Sequence, residues 1–473
     1  MKINSTVQYK EISEEDMRFL AQIVGKEYSF TDGENLQNFS ADMTEDLVFA
    51  PAMVLLPSNT QEVAEIVKYC NQQKIPITPR GAGTGLSGGS LPVYGGVSLS
   101  LKRMNRILKI DERNFQATVE PGVITEDFQR AVAEKGLFYP PDPASKGSCF
   151  IGGNLAENSG GPKAVKYGVT SQYVLNLEVV LPSGEVIWTG ADTLKNSTGY
   201  NLSQLMVGSE GTLGIITKAV FKLISLPKHD LLILVPFFSA EAACEAVAAI
   251  MQAGIVPSSL EFMEKDALLY GLKYLPEFSM ELPDNVQAHL LIEVDGNDLE
   301  VLWKEMEKIH SVLKGFEIGE ILFADEAAQK ERLWKLRRSL GEVIKRNSIY
   351  KEEDTVVKRA ELPKLLKGVK SIGKKYGFKS VCYGHAGDGN LHVNILKGSM
   401  SDEDWNNKLK KGIREIFQLC KELGGTISGE HGIGLVQKEF LDVVFDHNQM
   451  QLQKSIKHLF DPNGIMNPGK IWM

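Results

Sequence analysis

Cysteine, long apolar runs and excess positive charge are all scarce in this chain, and each shortage removes a class of function. The five cysteines, Cys70, Cys149, Cys244, Cys382 and Cys420, are scattered, with no C-x-x-C pair. That argues against a disulfide scaffold, a structural zinc knuckle and an iron–sulfur cluster of the chain's own. The longest apolar run, "LLILVPFF" at 231–238, is far too short to cross a bilayer, and the opening "MKINSTVQYKEISEEDM" has no apolar signal core. The expectation is a cytoplasmic protein, peripheral at a membrane at most. A net charge of −8 argues against a nucleic-acid surface. Two phosphate-binding signatures are missing as well. No G-x-x-x-x-G-K-[ST] occurs, and in "PRGAGTGLSGGSL" at 79–91 Leu86 stands where a dinucleotide fingerprint needs its third glycine.

What is present is an ordinary soluble composition, 43% hydrophobic and 24% charged, over 473 residues, a length that calls for two or three domains. The run Gly81, Gly83, Gly85, Gly88 and Gly89 reads either as plain turns or as backbone wrapped closely around a ligand. If it holds a diphosphate, it does so through successive backbone N–H groups. Residues 45–225 are rich in glycine and short β-type runs. Asn59 or Ser58 can cap a helix with the stripe Val63, Ile66, Val67 and Cys70, and "KIPITPR" then runs as a strand into the glycine loop. Strands follow at "GGVSLSL", "ILKID" and "FQATVEPG", then a helix over 124–135. Two further glycine-dense regions cover 140–161 and 207–217. Past Pro227 strands alternate with helices, which points to βαβ-type units or a ferredoxin-like antiparallel layer with helices on one face.

The stretch "CYGHAGDGNLHVNI" at 382–395 carries the most chemistry. "AGDGN" is turn chemistry between two strands, so His385 leaves one strand and His392 enters the next, with Asn394 on the same face as His392. Two histidines and a carboxylate make an open divalent-metal site, and Glu430 in "GGTISGEHGIG" is a candidate carboxylate, leaving His431 as a base. A capped turn with a solvent-facing Glu-His pair fits the same residues. Arg337 and Arg338 in "LWKLRRSL" are either solvated helix charges or a fork for a substrate carboxylate.

In order along the chain, "PRGAGTGLSGGS", "DPASKGSCFIGGNLAENSGGPKAVKYG", "NSTGYNLSQLMVGSEGTLGIIT", "GHAGDGNLHVN", "SGEHGIG" and "FDPNGIMNPGK" resemble the motifs of FAD-linked D-2-hydroxyacid dehydrogenases, from about residue 45 to the end. That group includes glycolate oxidase, D-lactate dehydrogenase and D-2-hydroxyglutarate dehydrogenase. The resemblance implies an α+β, vanillyl-alcohol-oxidase (PCMH) type of FAD domain in two subdomains, plus an antiparallel-sheet cap. The implied divisions are an N-terminal helical segment at 1–44, the FAD domain at 45–226, a cap and substrate domain at 227–425, and a segment at 426–473 returning to the FAD domain. It assigns FAD contacts to Arg80, Gly81, Ala82, Gly83, Thr84, Gly85, Gly89 and Ser90 in the first loop. Further contacts fall on Asp142, Ser148, Gly152, Gly153, Asn154, Gly160, Gly161, Tyr167, Gly168, Gly211, Ile216 and Asn467. No histidine stands in the first loop, so FAD is expected to be non-covalent, Cys149 being the residue that would argue otherwise.

Carried over by position, His385, His392 and Glu430 match the family's metal ligands, zinc before iron or manganese. His431 matches the base, Asn394 a substrate contact and Arg337 the carboxylate clamp. The implied reaction has His431 remove the hydroxyl proton of a substrate held by Arg337 and the metal, while the C2 hydride passes to flavin N5. In hydroxyglutarate-specific relatives a lysine precedes a D-x-x-x-P segment. In "YKEEDTVVKRAEL" Asp354 is kept, Glu352 takes the lysine position, Lys351 is one residue off and Lys358 replaces the proline, which favours D-lactate over a dicarboxylate. D-2-hydroxyglutarate, glycolate and a non-catalytic flavin electron-transfer subunit are the other readings. The family implies an electron-transferring flavoprotein, iron–sulfur subunits or a quinone as acceptor, and a homodimer is among the assemblies left open.

Overall fold

A computed structural model describes residues 8–274 and 282–472. The first seven residues of the expected N-terminal helical segment lie outside the described residues; the segment's helices are Glu14–Val24 and the short Gly33–Gln37. Two compact units emerge. Unit 1 takes the chain up to Gly160, Val169–Leu226 and the chain from Glu430 onward; unit 2 takes Gly161–Gly168 and Pro227–Gly429. Among the described residues no helix is long and apolar enough to cross a membrane.

Unit 1 is built on two main sheets, with a two-stranded one pairing 137–138 with 224–225. The Asn59 side chain accepts from the Glu62 N–H and starts helix Thr60–Gln73, whose stripe Val63, Ile66, Val67 and Cys70 is fully buried. This helix connects strand Met53–Leu55 to Ile77–Arg80, and both run parallel to Val97–Ser100, which lies between them. The second sheet is antiparallel, ordered 107–111, 116–119, 215–222, 174–180, 186–188. The C-terminal tail joins the first sheet: the Ile77 N–H donates to Ile465 O (2.8 Å) and the Asn467 N–H to Ile77 O (2.8 Å). Asn467 therefore arrives beside the strand that launches the glycine loop.

Unit 2 holds one seven-stranded sheet. Its strands are β1 (His229–Phe237), β2 (Ser259–Glu264), β3 (Ala288–Gly296), β4 (Leu322–Ala324), β5 (Tyr350–Val356), β6 (Lys379–Gly384) and β7 (Asn390–Leu396). Its long helices are α1 (Ala240–Gln252), α2 (Lys265–Tyr274), α3 (Leu299–Leu313), α4 (Ala327–Asn347), α5 (Leu362–Tyr376) and α6 (Asp402–Glu422). The order is β4-β1-β3-β2-β6-β7-β5, every pairing antiparallel. The first four strands with α1 and α3 form one β-α-β-β-α-β ferredoxin-like unit. The last three with α5 and α6 form a second, whose fourth strand is reduced to one bridge between Val356 and Thr426. The two join through their second strands, β2 and β6, at Phe262–Gly384 and Met263–Tyr383.

One face of this sheet is covered by α2 and α4. Leu336, Leu340 and Ile344 of α4 and Leu268 of α2 pack with Leu232, Met263, Leu291, Val381 and Leu396 of the sheet. Each aliphatic buried there contributes about 2 kcal/mol. Because strand side chains alternate, the same face also carries Glu261, Tyr383, His392, Asn394, Glu352 and Asp354: Tyr383 lies opposite His392, Asn394 opposite Glu352, and His392 opposite Asp354.

Candidate active site

In unit 1 a cavity opens beyond the end of strand Ile77–Arg80. Arg80 through Leu86, Gly89 and Ser90 line it, with Ser145, Cys149, Gly152, Gly153, Asn154, Glu157, Glu210, Gly211, Ile216, Glu430, His431 and Asn467. Among the described residues, none accepts a hydrogen bond from the backbone N–H of Gly81 through Ser90. Gly83 has φ +76°, and a Cβ there would run into the Arg80 guanidinium. Gly85 and Gly153 sit on the wall with no atom within 4 Å of where a Cβ would stand. Asn467 pins the loop from behind, its Nδ2 donating to Gly89 O (2.9 Å) and Glu210 O (2.7 Å). A row of undirected backbone N–H groups on a bare wall is the donor set a diphosphate needs. These residues therefore fit FAD.

Of the FAD contacts expected from the sequence, Arg80, Gly81, Ala82, Gly83, Thr84, Gly85, Gly89, Ser90, Gly152, Gly153, Asn154, Gly211, Ile216 and Asn467 line this cavity. Asp142 and Ser148 only flank lining residues, and Gly160 closes a segment of unit 1. Gly161, Tyr167 and Gly168 belong to unit 2, where the Tyr167 hydroxyl donates to Asp295 (2.7 Å). Cys149 packs its Sγ 3.3 Å from Thr125 Oγ1, and burial pushes its thiol up, away from the thiolate that a covalent link would start from.

Two acids in the same wall escaped the sequence reading. Glu210 accepts the N–H groups of Ile433 (2.8 Å) and Gly434 (2.7 Å), fixing the loop that follows His431. Burial pushes its carboxyl up to about 7 in spite of those bonds. Glu157 is raised by burial and then by the Glu210 charge, and its Oε2 is shielded from solvent with no hydrogen-bond partner. The two carboxyls disfavour each other's ionisation. Their only sequence signal was a place inside glycine motifs, "NLAENSGG" and "VGSEGTLG".

In unit 2, β6 ends at Gly384 and a short 3₁₀ turn over Ala386–Asp388 leads to β7. Gly389 closes this turn at φ +80°, where a Cβ would collide with Val357 O. The turn brings the rings of His385 and His392 to 5.4 Å between centroids, nearly perpendicular at 83°. Glu261 of β2, fully buried, places both carboxylate oxygens 2.9 Å from His385 Nδ1. An ionised carboxylate can only accept, so Nδ1 carries a proton, and in the neutral ring Nε2 keeps its lone pair. Burial opposes that ionisation, but the Arg337 charge and the hydrogen bond from His385 prevail and hold the Glu261 carboxyl below its ordinary range. Sequence reasoning passed over Glu261, which sits in an otherwise apolar strand.

Arg337, from α4, is 4% exposed and ion-paired with Glu261 at 2.6 Å, its guanidinium over the Tyr383 ring. Arg338 turns onto Trp334 instead. Asn394 is fully buried beside Tyr383. Glu352 Oε1 accepts from the Tyr383 hydroxyl (3.2 Å) and lies 3.6 Å from His392 Nδ1. Asp354 accepts from Asn390 Nδ2 (2.7 Å) and from the Gly429 N–H (2.7 Å), anchoring the last residue of unit 2 in the chain just before Glu430. Two buried imidazoles, one oriented by a carboxylate, are a donor set that fits a divalent metal.

Residues 226–471 match the family of FAD linked oxidases through its C-terminal domain, and residues 51–190 match an FAD binding domain. The chain belongs to the FAD-linked oxidases. It is 40% identical to the glycolate oxidase subunit GlcD of Bacillus subtilis (strain 168) over 96% of each chain. It is 37% identical to a D-lactate dehydrogenase of Anaerostipes hadrus over 99% of each, and 34% identical to a D-2-hydroxyglutarate dehydrogenase of Stutzerimonas stutzeri (strain A1501) over 93% of this chain and 95% of that one. It is thus an FAD-dependent oxidoreductase of the D-2-hydroxyacid and glycolate group. Among solved structures it resembles p-cresol methylhydroxylase with substrate bound (TM-score 0.80, 20% identity, 99% of each chain). It also resembles a 4-ethylphenol oxidase from Gulosibacter chungangensis (TM-score 0.76, 22% identity, 97% of this chain and 98% of that one). The fold of this FAD-linked oxidase is the vanillyl-alcohol-oxidase type.

Proposed function

We propose that this FAD-linked oxidase is a metal-assisted dehydrogenase of small D-2-hydroxy acids, D-lactate to pyruvate first among them. We further propose that His385, His392 and Glu430 hold the metal, Zn²⁺ before iron or manganese. The observation that carries the reading is the buried group in unit 2, where Glu261 holds Arg337 and His385, the His392 ring stands against that of His385, and Asn394 lies buried beside Tyr383. A guanidinium fork beside two imidazoles matches a substrate with a carboxylate next to a hydroxyl. Glu430 is assigned as the carboxylate ligand because it follows Gly429, which the Asp354 carboxylate holds by its N–H.

In this reading Arg337 binds the substrate carboxylate and Asn394 orients it. His431 takes the hydroxyl proton, a task that suits an imidazole near neutrality. When bound, the metal supplies Lewis acidity toward the hydroxyl and FAD supplies the acceptor for the C2 hydride. Removal of one proton and one hydride leaves the 2-oxo acid, and the two electrons leave through an electron-transferring flavoprotein, iron–sulfur subunits or a quinone. Glu352 supports a monocarboxylate. Its acidic side chain beside His392 repels the second carboxylate of hydroxyglutarate.

The test is anaerobic bleaching of the bound flavin by D-lactate, L-lactate, glycolate and D-2-hydroxyglutarate. Fastest bleaching by D-lactate is the expected result. Preference for D-2-hydroxyglutarate or glycolate moves the substrate within the family, and a flavin left oxidised by all four overturns the hydroxy-acid reading in favour of an electron-transfer subunit.

A further inference from the structure

We propose that Glu261 is a positioning residue that serves two proposed functional side chains at once, orienting His385 for the metal and Arg337 for the substrate carboxylate. The inference rests on the metal reading above. Glu261 is 0% exposed, and an ionised carboxylate in such a place is costly unless partners answer it. Both of its oxygens are engaged: each lies 2.9 Å from His385 Nδ1, and Oε2 also meets Arg337 Nη2 at 2.6 Å. Strand geometry fixes it there, since β2 is paired on both sides, to β3 and to β6, and Glu261 stands opposite Leu291. The group is therefore held by backbone register, not by a flexible loop.

Two consequences follow from one carboxylate with two cationic or imidazole partners. The His385 ring is locked in the tautomer that presents Nε2, which raises its basicity as a ligand. The Arg337 fork is also held ready, so less freedom is lost when it binds an anion. Loss of Glu261 should thus weaken the metal and the substrate together, whereas loss of a merely structural carboxylate would lower stability and leave both affinities alone.

The experiment measures Zn²⁺ affinity by competition with a chromophoric chelator in the flavin-loaded wild type and in Glu261→Gln, Glu261→Ala and Glu261→Asp. Flavin absorbance reports that unit 1 remains assembled, and the KM for D-lactate is read on the same samples. The expected result is a 10–100-fold weaker Zn²⁺ affinity in the Gln and Ala variants, about the usual cost of losing such a partner. A raised KM should accompany it, with partial recovery of both in Glu261→Asp. Unchanged Zn²⁺ affinity in Glu261→Ala with flavin bound overturns this inference alone. A wild type that takes up no Zn²⁺ overturns it together with the metal reading. Should Glu261→Ala fail to fold, Glu261→Gln, which keeps the shape and an acceptor oxygen, carries the same comparison.

Discussion

The two units prepare for their ligands by different physical means. In unit 1 the cavity is walled by backbone: a glycine loop whose N–H groups find no acceptor among the described residues, and a helix whose first turn includes Gly152 and Gly153. In unit 2 the group at Arg337 and the two histidines consists of side chains set on a long helix, a strand and the tight turn between paired strands, with Arg337 and His385 both held by the buried Glu261 carboxylate. Backbone groups suit a large cofactor whose phosphates look alike from every side, while regular strands fix a few side chains accurately enough for chemistry. The difference predicts that damage to unit 2 should abolish turnover and leave flavin bound, whereas damage to the loop should lose the flavin and turnover with it.

The largest effect expected is from His385→Ala or His392→Ala. Turnover should fall by about a thousand-fold, several kcal/mol of transition-state stabilisation, with flavin content unchanged. Steady-state rates alongside flavin absorbance check it; parallel loss of flavin would erase the contrast between the units.

Next in size is a pH effect confined to unit 1. The Glu210 carboxyl titrates at 4.5 in its ordinary state and is pushed up to about 7 by burial in the folded chain. The folded state thus holds the proton more tightly. The stability this confers is complete below pH 4.5 and is lost as pH rises toward 7, by a few kcal/mol at most. Thermal unfolding of the flavin-free protein should show that decline, and Glu210→Gln should flatten it. A wild-type profile that does not fall over this window contradicts the environment described for Glu210.

A smaller effect is expected at the substrate. Glu352→Lys should shift the ratio of kcat/KM for D-2-hydroxyglutarate over D-lactate upward by about tenfold, equivalent to ~1.4 kcal/mol. An unchanged ratio would remove Glu352 from substrate selection. The smallest effect sharpens the comparison most. A Cβ on Gly153 meets no protein atom and improves a helix, so Gly153→Ala should stabilise the flavin-free protein by about 1 kcal/mol while weakening flavin binding. Melting temperature and flavin titration should move in opposite directions.

Much of this was legible in the sequence where local rules act alone. The helix capped by Asn59 and the strand before the glycine loop follow from periodicity and capping, and they stand where those rules put them. The turn between β6 and β7 was readable from "AGDGN", and the convergence of His385 and His392 with it. Strand β5 was not. It reads "YKEEDTV", a charge run that propensity assigns to solvent, yet Glu353, Asp354 and Thr355 are almost completely buried. Two of its acids face inward with partners supplied from other strands and from a distant loop: Glu352 answers His392 and Tyr383, and Asp354 answers Asn390 and the Gly429 N–H. Glu261, Glu157 and Glu210 were missed for the same reason. A buried acid is informative only when its partner is known, and sequence order hides partners that lie 76 residues or more away, as Arg337 does from Glu261.

The central claim, that the unit 2 histidines hold a metal needed for hydride transfer, is tested most directly by anaerobic mixing of D-lactate with flavin-loaded protein that has been stripped by chelation and with the same protein after return of Zn²⁺. The account predicts an oxidised flavin that stays yellow in the stripped sample and bleaches in the reloaded one, with no recovery in His392→Ala. Equal bleaching in the stripped and reloaded samples would contradict it.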